Sequence, residues 1–305
     1  MKKIDVLLPI YNEPLDYVSK SIQSILNQTY NCFKLIIIFD SPTNFEAINY
    51  VENLKTLDSR IITIKNEVNI GLVASLNKGI TYCTDDYVAR MDADDISELN
   101  RFEKQIKYLE ENKLDFIGSN FVWFCDEKKI YRSQLPTSNK QIKVWLKHNS
   151  AFCHPTFFFK REILDKIQYE DAPYCEDYLF AIRLIENNFK LRNCPDYLLN
   201  YRLNNNGICK SYSSAQYVYA KYLRKKYKRK KKIIFSDFKE YINHPKTKKY
   251  IKKMERFFCL KNEFVFLNSK AKKISYLFKM LFISSSDFIY FMKEKLFHKG
   301  LIEYK

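Results

Sequence analysis

The run Phe33 to Phe39 (Phe-Lys-Leu-Ile-Ile-Ile-Phe) is almost uninterruptedly apolar, and it constrains the fold more than any other segment. A short run without polar alternation predicts a strand covered on both faces, as in parallel sheets with helices on either side. The neighbouring segments fit that architecture. Ile4 to Ile10 is a second apolar run, and a helix follows with Leu15, Val18, Ile22, Ile25 and Leu26 on one face. Ile61 to Ile64 and Asp86 to Met91 read as further strands, Leu72 to Tyr82 as a helix, and 98–112 as a helix with Leu99, Phe102, Ile106 and Leu109 facing the core. Alternating strands and helices predict an α/β fold with a parallel sheet, whose ligands sit beyond the carboxyl ends of the strands. Three polar turns occupy those ends: Tyr11-Asn12-Glu13, Asp40-Ser41 and Asp92-Ala93-Asp94-Asp95.

The chain has only 5 glycines and no G-x-G-x-x-G, so a dehydrogenase-type nucleotide site is excluded. From about 115 to 211 strands (115–124, 156–160, 197–202) mix with helices near 139–147 and 176–187. Basic against acidic residues number 27 to 28 over 1–211 and 25 to 7 over 212–305. This asymmetry predicts a near-neutral domain over 1–211 and a basic, aromatic-rich helical region over 212–305. The 8 cysteines form no C-x-x-C pair, which fits reduced thiols rather than a disulfide frame or zinc site. Met1 to Asp5 leads directly into a strand without signal-peptide character, and no stretch approaches the roughly 20 apolar residues of a spanning helix. The expected location is cytoplasmic, on the inner face of the membrane if on a membrane at all.

Asp92, Asp94 and Asp95 crowd three like charges at a strand end. A hard cation with oxygen ligands, Mn²⁺ or Mg²⁺, relieves that repulsion and also neutralises a diphosphate leaving group. The same residues read equally as a solvated turn capping the next helix. Glu176-Asp177 opens a helix with Leu179, Ile182 and Ile185 toward a core, where the free N–H groups favour an ionised Asp of low pKa.

In order along the chain stand Pro9-Ile10-Tyr11-Asn12-Glu13, Asp40-Ser41, Asn69-Ile70-Gly71, Asn77-Lys78-Gly79, Arg90-Met91-Asp92-Ala93-Asp94-Asp95, His154-Pro155 and Glu176-Asp177. Together they resemble the family-2 glycosyltransferases of the GT-A fold, particularly bacterial enzymes of lipopolysaccharide or capsule synthesis, over residues 3 to 211. The resemblance implies a Rossmann-like nucleotide-diphospho-sugar domain. Pro9, Tyr11, Asn12, Glu13, Asn69, Gly71, Asn77, Arg90, Asp92 and Ala93 would bind the nucleotide sugar. Asp40 would accept from N3–H of uracil, favouring a UDP-sugar. Here the family usually has two acids and a glycine, and this chain has Phe39-Asp40-Ser41. Asp94 and Asp92 would hold the metal, and Asp177 would be the base of an inverting transfer. Glu176, His154 and Arg202 would stand toward the acceptor, a growing cell-surface glycan or glycolipid. Trp123 and Trp145 read as sugar platforms or as core.

Beyond 211, Arg224 to Lys232 is a cationic block. Ile274, Leu277, Phe278, Leu281 and Phe282, then Phe288, Ile289, Met292 and Leu296, repeat at helical spacing on either side of Ser284–Asp287. Such helices suit an anionic membrane surface, or pack against the protein or a second subunit in a homo-oligomer. No nucleic-acid-binding module accompanies the charge. Two other functions compete: a metal-dependent phosphohydrolase, whose nucleophilic Asp normally follows the first strand of its domain, and a catalytically inactive basic adaptor.

Overall fold

The computed structural model describes residues 1–125, 128–203, 211–266 and 269–298. The chain divides into two compact units, residues 1–171 with 176–205, and residues 172–175 with 206–305.

The first unit contains a nine-stranded sheet. Its strands are β1 (Ile4–Ile10), β2 (Phe33–Phe39), β3 (Ile61–Lys65), β4 (Tyr87–Arg90), β5 (Ile96–Ser97), β6 (Phe116–Cys125), β7 (Lys128–Arg132), β8 (Phe158–Lys160) and β9 (Leu191–Arg202). The order is β3-β2-β1-β4-β8-β6-β9-β5, with β7 on β6. β3, β2, β1 and β4 are mutually parallel, and β8 pairs antiparallel with both β4 and β6. Helices α1 (Leu15–Leu26), α2 (Phe45–Leu57), α3 (Leu72–Ile80), α4 (Arg101–Glu111), α5 (Asn139–Trp145) and α6 (Glu176–Glu186) complete the unit.

β1 and β2 are buried along nearly their whole length, as unbroken apolar runs require. The strand order reverses at β1, with β2 and β3 on one side and β4 on the other, which opens a crevice at the strand ends. Pro9 marks where it opens. Along β1 only Ile4–Leu7 pair with β4, and Leu7 turns its carbonyl toward β4 while Ile10 turns its own toward β2. Alternation puts position 9 on the β4 side, past the last paired residue, where a proline removes no ladder hydrogen bond. Gly79 lets α3 lie close on the sheet, since a Cβ there would stand 2.9 Å from Ile38 Cδ1 and Leu7 Cδ2.

Several boundaries differ from the sequence reading. α4 begins at Arg101 rather than 98, because β5 occupies Ile96–Ser97, and Leu99 is 59% exposed while Phe102, Ile106 and Leu109 are buried as expected. His154-Pro155 forms a one-turn 3₁₀ helix ahead of β8 instead of a strand start. The helix α2 and the short strands β5 and β7 have weak periodicity of their own and were not anticipated.

The second unit is helical: α7 (Ser213–Lys228), α8 (Phe235–Asn243), α9 (Pro245–Phe266), α10 (Lys270–Ile283) and α11 (Ser285–His298). Val218, Met254, Phe257, Met280 and Phe291 form its core. Buried Asp287 accepts from Tyr217, Lys221, Tyr250 and Ser284, linking α7, α9 and the α10–α11 junction. Tyr174 stacks on Tyr212 within the same unit. Arg224, the first residue of the cationic block, is buried over the rings of Tyr217 and Tyr290. Among the described residues seven cysteines are free, and no helix is long and apolar enough to cross a membrane. Cys209 and the side chain of Leu296 lie outside the described residues.

Candidate active site

The acidic turn leaves the end of β4 and is held from three directions. Ser21, on the buried face of α1, donates to Asp92 O at 2.7 Å. Arg101, fully buried at the start of α4, donates to Arg90 O at 2.8 Å. From the far end of the sheet, β9 pairs antiparallel with β5, Ile96 against Asn200 and Ser97 against Leu199. Continuing that register brings Arg202 beside Asp94 and Asp95. Its backbone N–H donates to Asp95 Oδ1 at 2.8 Å and its Nε to Asp94 O at 2.7 Å, with the guanidinium between the Tyr17 and Phe124 rings. Arg202 therefore braces the turn. Asp95 is no helix cap: it is buried six residues before α4, whose N-cap is Asn100.

Ligand atoms of Asp92, Asp94 and Asp95 lie within 4.8 Å of one another. Burial, then the Asp92 charge and that of Glu13, pushes Asp94 up to about 7. Asp95 is raised well above the usual carboxylate range by burial and by Asp94. Asp94 has no salt-bridge partner among the described residues, and Asp95 Oδ2 is buried without a hydrogen bond. Crowded oxygens short of positive charge are a donor set that fits a hard divalent cation.

The Arg90 guanidinium is the hub of the site. It is buried and ion-paired to Asp92, and its Nε and Nη1 have no hydrogen-bond partner among the described residues. Its charge is felt by Glu13, Asp94, Asp95, His154, Tyr169, Glu176 and Asp177. Segments from residue 13 to residue 177 thus lie within reach of one charge. Glu13 Oε2 accepts from Tyr11 N at 2.7 Å, closing the turn after β1, and burial raises its carboxyl.

Glu176 and Asp177 are partly exposed yet surrounded by protein at the start of α6. Burial pushes Asp177 up to about 6, against the lowering by the Tyr178 N–H and Arg90. Desolvation thus outweighs the helix terminus, contrary to the low pKa expected from position alone. Glu176 is raised further, by burial and then by Asp177. Ser150 Oγ approaches Asp177 Oδ2 at 3.5 Å.

A second cluster lies at the ends of β2 and α3. Asp40, next to Ile10 at the crevice, accepts through Oδ1 from Ile70 N at 2.9 Å and Asn66 Nδ2 at 3.0 Å. Its other oxygen receives no hydrogen bond from a described residue. Phe39, in the place of the family's first acid, is fully buried at the end of β2. Asn69 Oδ1 accepts from Gly71 N, and Gly71 has φ +84°. Nothing lies within 4 Å of a Cβ there, so only backbone strain opposes a side chain. Gly71→Ala is expected to cost roughly 1–3 kcal/mol in urea unfolding, because φ +84° with ψ 161° is a conformation that essentially only glycine adopts without strain. An unchanged midpoint would contradict the strain.

Asn77 spends its amide on the backbone of Tyr169, Nδ2 to O at 2.8 Å and N to Oδ1 at 3.1 Å. Tyr169 OH in turn meets His154 Nε2 at 2.8 Å. His154 is held neutral by burial and by Arg90, which suits a wall of the site. Tyr11 and Asn12 are exposed in the turn after β1, whereas Pro9 and Ala93 are buried. Trp145 donates to Ser150 O, and Trp123 packs on Tyr131 and Phe121. Sequence reasoning missed Ser21, Tyr17 and Tyr169. Ser21 alone left a trace, as a polar residue on an otherwise apolar helix face.

The sequence and the fold both have counterparts among known proteins. The model of glycosyl transferase family 2 matches residues 5–168. A glycosyltransferase of Methanocaldococcus jannaschii is 37% identical over 222 residues, 71% of this chain and 76% of the relative. The O-antigen biosynthesis glycosyltransferase WbnJ of Escherichia coli is 34% identical over 213 residues, 66% of this chain and 82% of the relative. The amylovoran biosynthesis glycosyltransferase AmsE of Erwinia amylovora is 30% identical over 206 residues, 65% and 75%. Among solved structures, S. aureus TarS 1–349 in complex with UDP-GlcNAc superposes with TM-score 0.60 at 16% identity, covering 92% of this chain and 81% of that one. The chain spans 42% of a longer TarS structure. These likenesses establish the GT-A fold. With its acidic turn, basic hub and paired acids on that fold, the chain belongs to glycosyl transferase family 2, as a glycan-building transferase of the bacterial polysaccharide type.

Proposed function

We propose that the chain transfers a sugar from a nucleoside-diphosphate donor, a UDP-sugar by preference, to a hydroxyl of a growing cell-surface glycan, with inversion. The observation that carries this is the convergence on Arg90: the crowded acids Asp92 and Asp94, the Glu176–Asp177 pair, and two buried guanidinium N–H groups without a partner among the described residues. Those N–H groups match the oxygens of an anionic leaving group.

In the proposed reaction Asp177 accepts the proton of the acceptor hydroxyl while its oxygen bonds to the anomeric carbon. The bond from that carbon to the diphosphate breaks on the opposite face, its electron pair leaving with the phosphate oxygen. A pKa raised toward neutrality suits a base that is ionised at pH 7 and still basic enough to take the proton. Arg90 steadies the leaving diphosphate, and Asp40 accepts from uracil N3–H through its second oxygen. Glu176, with its raised pKa, orients the acceptor. A divalent cation, Mn²⁺ or Mg²⁺, held by Asp92 and Asp94 would supply charge neutralisation for the diphosphate. The O-antigen and amylovoran roles of relatives support a polysaccharide acceptor, and TarS in complex with UDP-GlcNAc supports a uridine donor on this fold.

The test is nucleotide release across a panel of nucleotide sugars with Mn²⁺, Mg²⁺ or EDTA. Release from one UDP-sugar, abolished by EDTA, is the expected outcome. Silence across the panel would favour the inactive adaptor instead. Family membership already weighs against a phosphohydrolase, which would cleave simple phosphate esters.

A further inference from the structure

We infer that α10 and α11 form a docking surface for an anionic lipid bilayer. On α10, Ile274, Phe278 and Phe282 follow one another at four-residue spacing, which puts them on one stripe. They are 54%, 66% and 94% exposed. Met280 and Leu277, on the adjoining stripe, pack into the core of the helical unit. The helix is therefore already satisfied on its inner face, and core packing gives no reason for phenylalanines on the outer one. Leu281 next to Phe282, and Ile289 and Met292 on α11, are exposed as well. A groove lined by Leu260, Phe278, Leu281, Phe282 and Ile283, with Lys279, opens in the same unit.

Charge selects the occupant. Lys272, Lys279 and Lys293 are exposed on these two helices, in a region of 25 basic and 7 acidic residues over 212–305. Aromatic and aliphatic tips bordered by lysines match the layered chemistry of a bilayer interface, acyl chains below and anionic headgroups above. Lysine stems reach past the apolar stripe to place their ammonium groups among phosphates. Nucleic acid matches the charge and offers no acyl layer to phenylalanines. None of these residues takes part in the proposed chemistry, so failure of this inference would leave the transferase reading untouched.

The test is flotation of the full chain with phosphatidylglycerol–phosphatidylcholine vesicles and with phosphatidylcholine alone. Binding at least 10-fold tighter to the anionic vesicles is expected, falling with added salt. Phe278→Ser with Phe282→Ser, and separately Lys272→Glu with Lys279→Glu, should each weaken it at least 10-fold. Because these side chains are exposed, circular dichroism melts should match the parent. Equal flotation of parent and phenylalanine variant would overturn the proposal. So would a dimer in solution that the phenylalanine substitutions dissociate without affecting vesicle binding, which would assign the ridge to a second copy. Binding to RNA in preference to vesicles, indifferent to the phenylalanines, would assign the charge to nucleic acid.

Discussion

Asp94→Ala is expected to lower sugar transfer by roughly 10³-fold or more, the equivalent of the several kcal/mol that a bound cation contributes to a diphosphate leaving group. Among the three acids Asp94 has the strongest claim as ligand. Asp92 shares its carboxylate with Arg90, and Asp95 gives one oxygen to the backbone of Arg202. Asp94 is held through its carbonyl by Arg202, and its carboxylate lacks a salt-bridge partner among the described residues. Removing it also removes a repulsion with Asp92 and Glu13, so the variant should melt no lower than the parent. Isothermal titration with Mn²⁺ and UDP together, beside a thermal melt, separates the two effects. Metal-dependent turnover at the parent's level would sink the assignment, and a collapsed melt would show that the acid serves the fold.

The second large effect is at Asp177. Asp177→Asn should reduce transfer by about 10²–10⁴-fold, the range for a general base, while donor binding stays within a few-fold. The parent's kcat/KM should rise with pH through about 6 and then level off, because Asp177 acts only when ionised, and the asparagine variant should lose that limb. Stability responds with the opposite sign. A carboxyl whose pKa is raised on folding costs stability while ionised, and the cost vanishes as pH falls toward the unfolded value near 4. At pH 7 the asparagine variant should therefore be more stable, by on the order of 1 kcal/mol or a few degrees in Tm. Unimpaired transfer, or an acid limb that survives the substitution, would refute the role as base.

These two acids show how far the sequence reaches. The strands β1, β2, β3 and β4 and the turns after them are legible because each is written locally: a run of buried apolar residues, then a break. The parallel arrangement follows from strands alternating with helices, and in such a sheet the turns at the strand ends share one edge. Asp40, Asp92 and Asp94 are placed by that logic together with the spacing of short motifs, and Asp177 by the resemblance of Glu176-Asp177 to a family motif. The charge division between the near-neutral first part and the basic remainder is likewise read directly from composition.

Other features rest on pairs far apart in the chain. Arg202 reads in sequence as a group facing the acceptor, and only the β5–β9 register brings it, across 107 residues, onto the Asp95 carboxylate of the acidic turn. Asn77 looks like a ligand contact until its amide is found closing on Tyr169, 92 residues away. Asp95 reads as a cap until β5 displaces the helix start. The helix-start argument for Asp177 gives the wrong direction, because desolvation depends on what surrounds a group in three dimensions. The sequence by itself determined the family fold, the order of its turns and the types of residue available at the site. Only the tertiary structure decided which polar groups are consumed by one another and which stay available for ligands. Buried hydrogen-bonding groups must be satisfied by partners that the chain brings together only on folding.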